Sequence, residues 1–370
     1  MVQLPLGRSS CAAQARQSAC ALCLCLLLIL APVGLSAASK TKPPAVVQAL
    51  GLEMDGGRRL LFERSFSSER ELKPKHSLLT RLVDFVAGAP DMHFMVRPYS
   101  VVTDSHDRVI IADPGAMGIH IVDFAEQKYK FVSHREGKDE LSTPQCIAVD
   151  KQDNIYVTDS EAGKIFVFGP NGKFQRAIGS LKGGEGFFKR PTGIAVDSAA
   201  QRIFVSDTWR NRLYVLDMLG HVIQTIGHAG HGDGEFNYPT ELRLAGDNLV
   251  VVDSMNFRVQ VLSREGTFRY AVGQPGDGAG LLFRPKGIGL DSEGHVYVAD
   301  AFNRLVQVFD EQGRLLYYFG QQGTAPRPLQ MPAGLSIDGS DRIYVVDSTA
   351  RSLQVFRYFG LAKPALGGTR

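Results

Sequence analysis

The sequence predicts an all-β fold, a six-bladed β-propeller of four-stranded antiparallel blades, on three observations. A strand-rich segment recurs six times at a nearly fixed period, each copy holds three short strands with no room for a helix, and the stretch after each copy supplies a fourth strand. The clearest copy is Pro285 to Phe309, PKGIGLDSEGHVYVADAFNRLVQVF. A proline opens it, and a first apolar run ends in Asp291. A Ser-Glu-Gly turn follows, then a second run (Val296, Tyr297, Val298) ending in Asp300. An Asn303-Arg304 turn leads into the third run, Val306 to Phe309.

The opening prolines are Pro98, Pro144, Pro191, Pro239, Pro285 and Pro332, separated by 46, 47, 48, 46 and 47 residues. The first run ends in Asp104, Asp150, Asp197, Asp291 and Asp338, with Ala245 as the exception. The second ends without exception in Asp113, Asp159, Asp207, Asp253, Asp300 and Asp347. A unit of this length repeated six times is a propeller blade. The fourth strand follows a glycine turn, as in Gly172 to Ile178, Gly220 to Ile226, Gly266 to Val272 and Gly313 to Phe319. The sixth copy has no such strand, because only a short tail follows Phe356. GRRLLFERSF at 57–66 is similar to GRLLYYFG at 313–320, so the N-terminal strand is expected to fill that place. Strands from both chain ends would then close the ring and remove its open edge.

Around this ring the chain divides simply. Residues 1–38 read as a secretory signal peptide: Arg8 and Arg16, an apolar run from Ala19 to Val33, then Ser36-Ala37-Ala38, with cleavage expected after Ala38. The alternative is an uncleaved membrane anchor over 19–33, a run that is short for a span. Residues 39–56 form a polar lead-in, and 57–97 hold the closing strand and a short helix over 77–86, with Ser77 as N-cap and Gly88 and Pro90 beyond its end. Residues 98–359 are the propeller and 360–370 a tail. The formal charge of +3 falls to near +1 without Arg8 and Arg16, which gives no electrostatic case for nucleic acid. Four of the five cysteines precede residue 26 and only Cys146 follows, so no disulfide framework is implied. The localisation expected is export, periplasmic or extracellular.

The recurring Pro-x-Gly-Ile-Ala-Val-Asp, then Val-Tyr-Val-Ala-Asp, then Asn-x-Arg-Val-Gln-Val-Phe resembles the NHL repeat over Pro98 to Phe356. Blades four (Asp253, Asn256, Arg258) and five (Asp300, Asn303, Arg304) are the most similar. Blade three has Asp207, Asn211 and Arg212, whereas blades one, two and six lack the asparagine. The resemblance implies a six-bladed binding platform for protein or RNA, less often an enzyme such as a lyase. It specifies a fold more than a function. Asp at a strand end accepts backbone N–H bonds in a turn, so the six second-strand aspartates are read as structural.

Function is therefore sought where one blade departs from its neighbours. The turn after the second strand and the connection to the next blade share one face, the expected working surface. Arg97, Arg190 and Arg284 precede the opening prolines of blades one, three and five, which sets three guanidiniums in a triangle at the channel mouth. Guanidinium prefers carboxylate or phosphate, so this triangle is expected to take an anionic ligand or an acidic protein segment; the alternative is three separate surface ion pairs. Trp209, Arg210, Arg212, Phe257, Arg258, Phe302 and Arg304 fall in the second-to-third-strand turns of blades three to five, an aromatic and cationic arc of the kind protein-binding hot spots use. Glu241 and Arg243 put large charges two and four residues after the proline of blade four, where the other blades have small or apolar residues. They are an ion pair filling the axis or, in the alternative, the catalytic groups of a channel-centred lyase or hydrolase. His228, His231 and Asp233 are the candidate ligands if that enzyme uses a metal ion. The reading adopted is an exported, non-enzymatic binding scaffold with no cofactor, whose partner is an unidentified protein or anionic ligand. A membrane is involved only if residues 19–33 stay attached.

Overall fold

The computed structural model describes residues 50–72, 92–136, 139–182 and 186–360. The expected signal peptide, the helix over 77–86, most of the lead-in and residues 361–370 lie outside the described residues. Within them there is no α-helix, and none is long and apolar enough to cross a membrane.

Six antiparallel sheets of at least four strands follow the sequence in order. Their innermost strands are Ser100–Thr103, Pro144–Val149, Pro191–Asp197, Pro239–Ala245, Pro285–Leu290 and Pro332–Ile337. Each contacts the innermost strand of the next blade, and the sixth contacts the first, which closes the ring. The second strands, Val109–Asp113 to Arg342–Asp347, are almost wholly buried because neighbouring blades cover both their faces. Their apolar runs are continuous for that reason. The outermost strands alternate instead, as in Lys128–Val132 and Leu315–Phe319, because only one face is covered.

The core is divided into six apolar clusters, one at each interface between neighbouring blades. Each interblade connection adds one anchor three residues before the opening proline: Met95, Leu141, Phe188, Phe236, Leu282 and Leu329, all buried. Glycine with a left-handed φ is needed where the connection leaves the fourth strand. At Gly227 (φ 73°) a Cβ would stand 2.4 Å from the Phe236 ring, so a side chain there would expel the anchor.

The sixth blade is completed from the other end of the chain, as expected. Arg59–Phe66 pairs antiparallel with Ser352–Phe359, with Leu60 opposite Tyr358 and Phe66 opposite Leu353. The short strand Gly51–Glu53 adds a fifth member outside it. The closing strand shifts register between Phe62 and Arg64, so its two ends serve different interfaces. Leu60 packs with Tyr297, Phe319 and Phe356 between blades five and six, and Phe66 packs with Val101, Tyr344 and Leu353 between blades six and one.

Leu60 is fully buried, so Leu60→Asp places an unpaired charge at the seam. We expect one cooperative unfolding transition of the whole ring, lowered by at least about 4 kcal/mol in denaturant titration. Loss of a minor early phase with the main transition unchanged would contradict closure by this strand.

Candidate functional site

The six second-strand aspartates are buried, and their carboxylates hold the start of their own blade. Asp113 accepts the backbone N–H groups of Val96 (2.6 Å) and Arg97 (2.9 Å). Asp207 accepts those of Lys189 (2.9 Å) and Arg190 (3.0 Å), and Asp300 those of Phe283 (2.7 Å) and Arg284 (3.1 Å). Asp159 and Asp347 do the same for Ser142 and Thr143 and for Gln330 and Met331. The same carboxylates also accept from the following turn, as expected; Asp159 takes Glu161 and Ala162. In blades four and five the asparagine side chain joins in, Asn256 donating to Asp253 (2.8 Å) and Asn303 to Asp300 (3.0 Å).

Three rings of residues thereby converge on the channel mouth: those before the opening proline, those after it, and those after the second-strand aspartate. They line a cavity of about 1000 Å³ on the face of the interblade connections. Arg97, Arg190 and Arg284 all lie on its wall, joined by Lys286 from the ring after the proline. Among the described residues no carboxylate pairs with any of the four. Among the described residues, the three separate surface ion pairs allowed by the sequence are not present. Arg190 instead lies over the Trp209 ring (5.3 Å), and Lys286 over the Tyr99 ring (5.1 Å). Burial first, then the neighbouring charges of Arg284 and Arg97, push the Lys286 amine down to about 8.

Glu241 and Arg243 form an ion pair. Arg243 also crosses the channel from blade four and donates to the carbonyls of Val101 (3.1 Å), Ile147 (3.2 Å) and Leu335 (3.3 Å), in blades one, two and six. These acceptors lie three residues after their prolines, so the Arg243 guanidinium sits two residues, about 7 Å, deeper than the Lys286 level. Glu241 is only 2% exposed, and burial raises its carboxyl to about 7 against the pull of Arg243. Cys146 lies nearby, fully buried, its thiol pushed well up by burial.

The expected aromatic and cationic arc is only half realised. Trp209, on the turn Thr208–Arg210, and Phe257 line the cup, and Phe302 stacks on the cup residue Phe283 (4.1 Å). Most of the cations, however, are occupied within their own blades. Arg258 donates to Asp253 (2.9 Å) and to the carbonyls of Gly232 (2.6 Å) and Glu235 (3.1 Å). Arg210 bonds the carbonyl of Phe187 (3.0 Å) and contacts Asp207, and Arg212 bonds the carbonyl of Arg210. Arg304 alone stays exposed, beside a separate groove with Gln321 and Gln322.

The histidines do not converge. His228 pairs with Glu235 (3.2 Å) and His231 with the Asn256 side chain (2.6 Å), so these two and Asp233 share no centre. Asp104, His106 and Asp153 do approach one another on the opposite face, but Arg108 and Ser105 already occupy the two carboxylates. Lys286, Tyr99, Tyr238 and Phe283 were missed by sequence reasoning. For Tyr99, Tyr238 and Lys286 the signal was the residue on each side of the proline, where Tyr99, Gln145, Thr192, Thr240, Lys286 and Ala333 differ sharply from blade to blade; Phe283 stands two before Pro285.

A raised folded-state value at Glu241 means that folding is favoured by its protonation. The associated stability is present below about pH 4.5 and is lost as pH rises through about 7, on the order of 3 kcal/mol at about 1.4 kcal/mol per unit. Denaturant titrations from about pH 5 to 8 should show wild type falling relative to Glu241→Gln; parallel curves would refute the buried, raised carboxyl.

Residues 141–168, the first three strands of blade two, match the sequence model of the NHL repeat. The match falls on blade two rather than on blades four and five. No curated protein matches the chain by sequence. Among solved structures, a protein of unknown function from Bacteroides thetaiotaomicron is similar with a TM-score of 0.59 at 14% identity, over 72% of this chain and 70% of that one. An auxiliary nutrient binding protein from the same organism gives 0.56 at 12%, over 71% and 69%. A streptogramin B lyase gives 0.52 at 14%, over 71% and 94%. At these identities the likeness is one of fold.

Proposed function

We propose that this six-bladed NHL-repeat β-propeller is a non-enzymatic binding scaffold that receives an anionic ligand, or an acidic segment of a partner protein, in the cup at its channel mouth. The observation that carries this reading is four cations, Arg97, Arg190, Arg284 and Lys286, on one cavity wall with no carboxylate among the described residues to pair with them. Such a group repels itself and is left for an incoming anion to neutralise. The fold similarity to an auxiliary nutrient binding protein is compatible with this reading.

A second reading rests on one observation, the Glu241 carboxyl at about 7, the range of a general acid or base. A channel-centred lyase or hydrolase would use it with Arg243. Against this, the Arg243 guanidinium is held by three carbonyls and the Glu241 carboxylate is enclosed. Turnover lost in Glu241→Gln with ligand binding intact would favour the enzyme.

Calorimetric titration with citrate tests the scaffold reading. Each charge-assisted contact is worth about 1.5–3 kcal/mol, so the Arg97→Ala, Arg190→Ala, Arg284→Ala triple variant should bind about 1000-fold more weakly or worse, with unchanged unfolding. A bound anion favours protonated Lys286, so wild-type affinity should hold below about pH 8 and fall as pH rises through it, a step absent from Lys286→Met. Equal citrate affinity in the triple variant would end the proposal.

We also propose that the protein is exported and that residues 1–38 are removed. N-terminal sequencing of protein recovered outside the cytoplasm should begin at Ser39; an N-terminus retaining residues 19–33 would indicate the anchored alternative.

A further inference from the structure

We infer that the ligand the cup selects is a small amphiphilic anion, an aromatic body carrying an acidic head. The inference rests on the cup being an anion site and adds the other half of the ligand. The cup is blind, because Arg243 spans the channel beneath it, so a ligand enters and leaves by one face. Its volume of about 1000 Å³ is on the scale of sites for small molecules, which span about 300–1000 Å³.

The lining is lopsided. The cations come from blades one, three and five, but the exposed large apolar side chains come only from blades three to six, blade one adding the half-buried Tyr99 beneath Lys286. Trp209 (56% exposed), Tyr238 (44%), Met255 (52%), Phe283 (43%) and Met331 (36%) all line the cup and face solvent. The wall from blades one and two offers Pro114, Thr143 and Gln145 instead. An inorganic anion would satisfy the arginines and leave that apolar wall in water. A neutral aromatic compound would cover the wall and strip water from unpaired cations. One molecule with both parts serves both. The wall is also preformed: Phe283 is fixed by stacking on Phe302, with Phe257 beside it (6.3 Å), and Arg190 lies over the Trp209 ring (5.3 Å).

The test is calorimetry on the full propeller chain with naphthalene-2-carboxylate, acetate and naphthalene-2-carboxamide, and with citrate as the anion reference. The naphthoate should bind at least about tenfold tighter than either acetate or the carboxamide. The double variant Met255→Ala, Phe283→Ala, which keeps Arg190 on Trp209, should bring naphthoate down to the acetate level with a much smaller loss for citrate. Acetate binding as tightly as naphthoate, or naphthoate indifferent to the double variant, with citrate still bound, would overturn the amphiphile and leave the anion site standing. No binding of citrate or naphthoate would overturn both. Binding of neither acetate nor naphthoate with citrate bound would also overturn the amphiphile, and would favour an acidic protein segment as the occupant.

Discussion

Much of this structure depends on one bond type, a buried aspartate at the end of a second strand accepting the N–H groups of the residues that lead into its own blade. Those N–H groups sit where the chain passes from one blade to the next, and burial without a partner would cost each about 1–3 kcal/mol. Because the bond uses the backbone, the side chain beside the proline is free to differ from blade to blade. Arg97, Arg190 and Arg284 use that freedom: each backbone N–H is held by Asp113, Asp207 or Asp300, and each guanidinium is thereby delivered to the same rim. The element that builds the repeat is also the element that aims the site.

Ring closure gives the cup its rigidity. The strand Arg59–Phe66 buries Leu60 on one seam and Phe66 on the next, so blade six is bound to both neighbours by residues from the far end of the sequence. Arg243 adds a tie across the axis, from blade four to blades one, two and six. Its pairing with Glu241 is poor evidence of stabilisation, since dehydrating both groups offsets their attraction, and the raised Glu241 carboxyl reflects that cost. The carbonyl bonds are the part that fixes geometry, and they hold the floor of the cup in place.

The fold was legible because the period of 46–48 residues survives side-chain variation and because GRRLLFERSF matches the strand missing from blade six. The arginine triangle was legible for the same reason: position relative to a proline becomes position around the ring. What the sequence concealed was pairing. Arg258 and Arg210 look as free as Arg284 on paper, but the first two reach carboxylates and carbonyls within their own blades and the last does not. Spacing cannot show the carbonyls that receive Arg243, which lie 92 to 142 residues away. Lys286 was hidden more simply, in a blade whose agreement with its siblings made it look like consensus.

Lys286 also explains why the cup reads as a site and not as leftover surface charge. An ordinary exposed lysine keeps its proton; this one is pushed to about 8 by burial and by Arg284 and Arg97, a cost on the order of 3 kcal/mol to hold it charged at neutral pH. A fold with no use for the cup could place threonine there, as blades three and four do with Thr192 and Thr240. It could also supply a carboxylate from the surrounding turns. Among the described residues the chain does neither, and it lines the adjoining wall with exposed aromatic side chains that carry their own solvation cost. On the reading proposed above, these unfavourable groups, gathered at one mouth, would each be relieved by a different part of the same guest.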